Sequence, residues 1–160
     1  MAKLLVVDSS AEDRSSISRQ LRDAGHDAVG AADAAAAMII LQGATFDAVI
    51  TEWLLTDTSA LDLAARVRRN PQNAGARILV ASARAEPTDI ARALDSGIDD
   101  YLLKPSRPEE LVARVNAALR RPPAGGGNVL QVGPIVLDRA CHKVTVDGHE
   151  IELAPAEFRL

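Results

Sequence analysis

The chain has 160 residues, 48% of them hydrophobic, 25% charged and 2% aromatic. That is the balance of a globular protein, with room for one domain and part of a second and a core of Leu, Val, Ile and Ala. A formal net charge of −4, from 18 basic and 22 acidic residues, excludes a global electrostatic case for nucleic-acid binding.

Lys3 to Val7 is a continuous apolar strand that runs into Asp8. From Ser10 to Ala24 the apolar residues Ile17, Leu21 and Ala24 form one helical stripe, with Gly25 as a stop. A short strand over Asp27 to Gly30 leads to Asp33, a good N-cap for an alanine-rich helix ending near Leu41. The strand of Asp47 to Thr51 follows, then a helix from about Ser59 to Arg69 closed by Asn70-Pro71. Arg77 to Ala81 is a fourth strand, Thr88 to Ser96 a fourth helix, and Tyr101 to Leu103 a fifth strand before Lys104-Pro105. Pro108 opens the last helix, which carries Leu111, Val112, Val115 and Leu119 to Arg121. Alternating helices and unbroken apolar strands predict an α/β fold with a doubly wound, five-stranded parallel sheet of order 2-1-3-4-5.

The stretch RPPAGGGN, Arg121 to Asn128, marks a composition break. The first domain is expected over residues 1–121, a linker over 122–128, and a second unit over 129–160. In that unit the apolar period changes to two, and strands are expected at Val129 to Val132, Ile135 to Leu137, Lys143 to Val146 and Ile151 to Leu153. Asp147-Gly148 is a hairpin turn, and Pro155 reads as the first turn of a helix. An antiparallel ribbon of this size does not bury enough surface to stand alone, so this unit reads as cut short. Cys141 is the single cysteine, which excludes an internal disulfide and fits a reducing compartment. The N-terminal apolar run is too short for a signal peptide's core, and no run approaches the ~18 apolar residues of a spanning helix. A cytoplasmic protein with no membrane partner is expected.

In a doubly wound sheet Asp8, Glu52, Ser82 and Lys104 fall at or just past the carboxyl ends of strands one, three, four and five. They should converge on one pocket, where ligands of such sheets sit. Two carboxylates, a hydroxyl and an ammonium suit phosphate or metal chemistry. The segments LLVVDSS, DAVITEWLLTDTSALDL, VASAR and DDYLLKPSRPEELVARVNAALRR, in this order and spacing, resemble the receiver domain of bacterial response regulators. The tail VGPIVLDRACHKVTVDGHEIELAPAEFRL resembles the start of the winged-helix effector of the OmpR/PhoB subfamily, down to Glu157-Phe158.

The resemblance implies roles and also exposes departures. The family's phospho-acceptor is an Asp, and here that position is Glu52. The family's acidic pair becomes Asp8-Ser9, so the second carboxylate, a direct Mg²⁺ ligand in the family, is missing. Mg²⁺ demands near-ideal octahedral oxygen geometry, so its binding is expected to be weak or absent, with Asp8 contributing at most weakly, and ordinary phosphorylation is not expected. Thr56 replaces the usual Pro, and Ala60 stands where Gly is common. Ser82 and Tyr101 occupy the switch positions and Lys104 that of the phosphate-pocket lysine. Two readings stay open. In one, Glu52 is a fixed charge that biases the switch toward the active form without a donor. In the other, Glu52 only keeps Lys104 paired and switching is lost.

The resemblance also places a dimer face on the fourth helix, fifth strand and fifth helix, with Arg92, Asp99, Asp100, Glu110, Arg114 and Arg121 at its charged positions. A homodimer is therefore expected, with a sensor kinase as a possible further partner and DNA bound only by a full-length effector. A rival reading is a stand-alone interaction module that dimerises with or titrates a partner. An enzyme is not expected, since no dinucleotide, Walker or nucleophile-elbow motif is present and no His falls near the pocket. His142 and His149 lack metal spacing with Cys141 and read as surface side chains; His26 shows no partner in the sequence. Trp53 reads as packing over the pocket loop, and Ser106 stands where the family often has an aromatic.

Overall fold

The carboxyl ends of β1 (Lys3–Val7), β3 (Ala48–Thr51) and β4 (Arg77–Ser82) are brought side by side by strand register. Val7 pairs with Thr51 and Thr51 with Val80. Ser82 pairs with Leu103 of β5 (Asp100–Leu103). With β2 (Asp27–Ala31) outside β1, the computed structural model has a five-stranded parallel sheet of order 2-1-3-4-5, as the apolar runs predict. The structure describes residues 1–84 and 86–120 and, of the rest, the backbone of 129–132, 135–138, 143–146 and 149–151.

Side-chain alternation splits the core into two layers. Leu5, Val7, Val49, Ile78, Val80 and Tyr101 face one side. There they meet α2 (Ala34–Gly43), α3 (Ala60–Arg69) and α4 (Pro87–Asp95), through residues such as Leu41, Leu63 and Leu94. Leu4, Val6, Ile50, Leu79 and Leu102 face the other, against Leu21 of α1 (Ala11–Asp23) and Leu111 and Val115 of α5 (Pro108–Arg120). Both faces are covered, which is why the strands need no polar alternation.

Three helices start on the residues their sequences mark. Ser10, Asp33 and Ser59 accept hydrogen bonds from the backbone N–H groups of Asp13, Ala36 and Asp62, satisfying otherwise orphaned donors. Gly25 and Gly97, with φ of 93° and 100°, follow α1 and α4 in the left-handed conformation that ends a helix. The expected boundaries hold to within a residue or two.

Two polar side chains tie elements together. Asn73 is 1% exposed. It donates to the carbonyls of Leu41 and Ala44, and its oxygen accepts from the Phe46 N–H at 2.7 Å. His26 does have partners: Nδ1 accepts from the Ala2 N–H at 3.1 Å, so Nε2 carries the proton and donates to Asn116 Oδ1 at 2.9 Å. It joins the start of β1 to α5.

Beyond α5 a second sheet of β6 (Val129–Val132), β7 (Ile135–Asp138), β8 (Lys143–Val146) and β9 (His149–Ile151) is antiparallel throughout, in order β6-β7-β8-β9. The fourth strand begins two residues before its expected start at Ile151. The Asp147-Gly148 turn, the Pro155 helix start, Cys141 and His142 lie outside the described residues.

Replacing Asn73 by Ala strands a buried N–H and two carbonyls at once. It should lower stability by about 2–4 kcal/mol, since each unsatisfied buried group costs roughly 1–3 kcal/mol; urea denaturation of the two chains measures this.

Candidate functional site

Lys104, one residue past β5, extends across the carboxyl edge of the sheet. Its Nζ lies 2.7 Å from Asp8 Oδ2, 3.0 Å from Glu52 Oε2 and 3.1 Å from Asp13 Oδ2. Three carboxylates share one ammonium, leaving negative charge in excess. Asp8 is nearly buried, with 4% of its side chain exposed. Its Oδ1 accepts from the Ser10 N–H at 2.9 Å. Glu52 is committed at both oxygens, because Oε1 accepts from the N–H of Trp53 at 2.7 Å. Burial disfavours the charge on Lys104, yet the hydrogen bonds it donates to Asp8, Glu52 and Asp13 outweigh that cost and hold the ammonium above the ordinary lysine range.

Of the predicted site residues, Asp8, Glu52 and Lys104 come together. Ser9 does not join them: its side chain is exposed. The third carboxylate is Asp13, which the sequence reading missed. The signal was available in principle, since Ser10 caps α1 and an acid in the first turn lies close to the preceding strand end.

Ser82 and Tyr101 are both buried and meet at Arg84. Ser82 Oγ accepts from the Arg84 N–H at 3.1 Å, and the Tyr101 hydroxyl donates to the Arg84 carbonyl at 2.8 Å. Burial pushes the Tyr101 phenol up to about 12. Trp53 is buried, with its ring centroid 6.2 Å from that of Tyr101. It packs in the core cluster that also holds Leu55 and Tyr101.

The loop after β3 is anchored at a point the sequence did not reveal. Asp57 accepts from the N–H groups of Ala34 and Ala35, at 3.1 and 3.0 Å, and so caps α2 together with Asp33. The hydrogen bond from Ala34 leads the causes that hold its carboxyl below the usual range.

The residues assigned to a dimer face divide. Arg92 and Glu110 are exposed on α4 and α5. Asp100 and Arg114 pair within the chain, at 3.0 Å. Asp99 accepts from the Ile78 N–H and from Arg68, at 2.8 and 3.2 Å, so much of its hydrogen-bonding capacity is used inside the fold. Arg121 and His142 lie outside the described residues, as does the side chain of His149. No group of three or more His, Cys, Asp or Glu side chains among the described residues is arranged to hold a metal ion. No helix among them is long and apolar enough to cross a membrane.

A parallel sheet of order 2-1-3-4-5 with carboxylates and a lysine at its carboxyl edge defines a receiver-type signalling domain. The model of the response regulator receiver domain matches residues 4–116, and the chain belongs to that family. The family is a signalling module rather than an enzyme. The phosphate regulon transcriptional regulatory protein PhoB of Pseudomonas aeruginosa is 35% identical over 158 residues, 98% of this chain and 69% of that protein. The DNA-binding response regulator MtrA of Mycobacterium tuberculosis is 33% identical over 158 residues, 99% of this chain and 68% of that one. Among solved structures, the chemotaxis response regulator CheY4 of Vibrio cholerae superposes with a TM-score of 0.69 at 30% identity, covering 74% of this chain and 98% of that one.

The chain's one tyrosine makes its ionisation readable. The folded protein should show tyrosinate absorbance only as the pH nears about 12, whereas the urea-unfolded chain should ionise near the ordinary value of ~10. Because the fold holds the phenol's proton more tightly, its contribution is fully present below pH ~10 and is lost as the pH rises through the folded value.

Proposed function

We propose that this chain is a two-component response regulator controlling transcription, with a receiver that works without phosphoryl transfer. Glu52 stands as a permanent charge at the acceptor position. The observation that carries this reading is the Glu52–Lys104 contact at 3.0 Å, formed beside a buried Tyr101 that donates to the Arg84 carbonyl. A phosphoryl group would bring about −1.5 to −2 charges and three acceptor oxygens. Glu52 supplies one charge and two oxygens, one of them already taken by its own neighbour's N–H. Its influence is therefore exerted through Lys104 and not by drawing Ser82 into the pocket.

Mg²⁺ binding in this receiver is weak or absent. Ser9 contributes no charge, and Lys104 Nζ already contacts all three carboxylates. A divalent ion would have to displace an ammonium held by three ion pairs.

Dimerisation proceeds through the α4–β5–α5 face, with Arg92 and Glu110 exposed for contact and the Asp100–Arg114 pair fixing the geometry of the strand between them. The second sheet is the N-terminal ribbon of an OmpR/PhoB-type winged-helix domain, and DNA is bound by that domain when complete. The two relatives are named as a transcriptional regulator and a DNA-binding response regulator, which supports this reading.

Sedimentation equilibrium of the 160-residue chain, native against Glu52→Gln and without phosphodonor, tests the fixed charge. The native chain should dimerise, and the variant should dimerise about tenfold more weakly, which corresponds to ~1.4 kcal/mol. Equal association of the two sinks the idea and leaves Glu52 as a partner that merely keeps Lys104 paired. Intact-mass spectrometry after acetyl phosphate treatment should show no phosphoryl adduct.

A further inference from the structure

On the α1–α5 side of the sheet, next to the Lys104 cluster, lies a cleft of about 380 Å³. That volume falls within the range of small-molecule sites, which are typically concave, apolar-floored and polar at the mouth. Its floor is apolar: Ala81, Leu102 and Leu111 are buried there, with Ile17 from α1 as a side wall. The cleft stays open because the turn from β5 into α5 presents only the half-buried serine Ser106, a side chain too short to reach across.

The mouth has a definite electrical character. Asp13 and Lys104 both line it, and the half-exposed Asp13 carboxylate gives only Oδ2 to the Lys104 ammonium. Behind it, Asp8 and Glu52 use the same ammonium, so the local field is negative. Ser16 and Gln20 also line the α1 rim and bond to each other at 3.1 Å, with the Gln20 amide donating. The Gln20 carbonyl oxygen remains as a further acceptor. Acceptors and negative charge above an apolar slot select one kind of occupant.

We propose that this cleft binds a small aromatic cation, its ring on Leu102 and Leu111 and its ammonium on Asp13. The inference stands on the cleft alone and does not depend on how Glu52 acts. The ring takes the space that a large side chain at position 106 would fill. The ammonium meets a carboxylate that has one oxygen to spare and one ammonium too few.

Phenethylamine is a suitable probe, titrated into the ¹⁵N-labelled 160-residue chain and followed by amide chemical shifts. Phenylacetate, with the same ring and the opposite charge, and propylamine, a cation without the ring, serve as controls. Saturable shifts at Ile17, Leu102, Ser106 and Leu111 are expected at about 1–10 mM phenethylamine, the range for so small a ligand. Neither control should match them. Asp13→Asn should weaken binding by about tenfold, and Ser106→Phe should abolish it by filling the slot while the rest of the spectrum stays folded. Absence of saturable shifts in the native chain overturns the proposal, as does equal binding of phenylacetate or undiminished binding to Ser106→Phe. Should Ser106→Phe instead abolish self-association with no phenethylamine binding to the native chain, the occupant is a side chain of a second copy and the small-molecule assignment is wrong. If Ser106→Phe does not fold, the Asp13→Asn titration and the phenylacetate comparison decide on their own.

Discussion

The pocket depends on one ammonium serving three carboxylates. Lys104 is fixed in place by the strand before it, because β5 pairs with β4 and ends one residue short. Asp8 and Glu52 are fixed by the parallel register of β1 and β3. None of these groups can retreat into solvent without disturbing the sheet edge. Three negative charges converge there, and the ammonium of Lys104 standing among them offsets their mutual repulsion. The folded receiver thus holds, in its own chain, a counter-ion for the carboxylates at its sheet edge.

The same economy appears in the loop after Glu52. Asp57 reaches back to α2 and caps it alongside Asp33. An isolated bridge between Leu54 and Ser59 closes the loop on itself. Glu52 therefore sits between two fixed points, the end of β3 and the N-terminus of α2. A loop held in this way favours a single arrangement of the pocket over the alternation between two that a switch requires. The exposed Leu54, with 56% of its surface open, is the loop's outward feature.

The fold was largely legible from the sequence because parallel strands covered on both faces appear as unbroken apolar runs, and the runs here are bounded by clear caps and glycines. The sheet edge was legible for the same reason: Asp8, Glu52, Ser82 and Lys104 follow directly from where the strands end. What escaped were contacts between residues whose proximity depends on helix orientation or loop path. Asp13 joins the pocket only because α1 leaves β1 at the angle that turns its first turn toward Lys104. His26 lies 90 positions from Asn116, and Arg68 lies 31 from Asp99; neither pair carries a local pattern. Asn73 sits in a polar turn that looks like any surface connection, and its burial follows from the way α2 and β3 converge on it. Ser106 carries no consequence in the sequence by itself, because a missing side chain matters only once the walls around it are known.

Trp53 and Tyr101 give the pocket an optical address. They are the chain's single tryptophan and single tyrosine, and their rings stand 6.2 Å apart in a tilted arrangement at 50°. The indole follows Glu52 directly in the chain, and the phenol is bound to the same backbone segment as Ser82. Excitation of the tyrosine at this separation transfers to the tryptophan with high efficiency, so emission from the native chain comes from one buried indole beside Glu52. Any rearrangement that swings the phenol away from Arg84 changes the distance and angle between the only two emitters present. The protein therefore carries a built-in fluorescence gauge of the pocket's arrangement, with no label and no competing background.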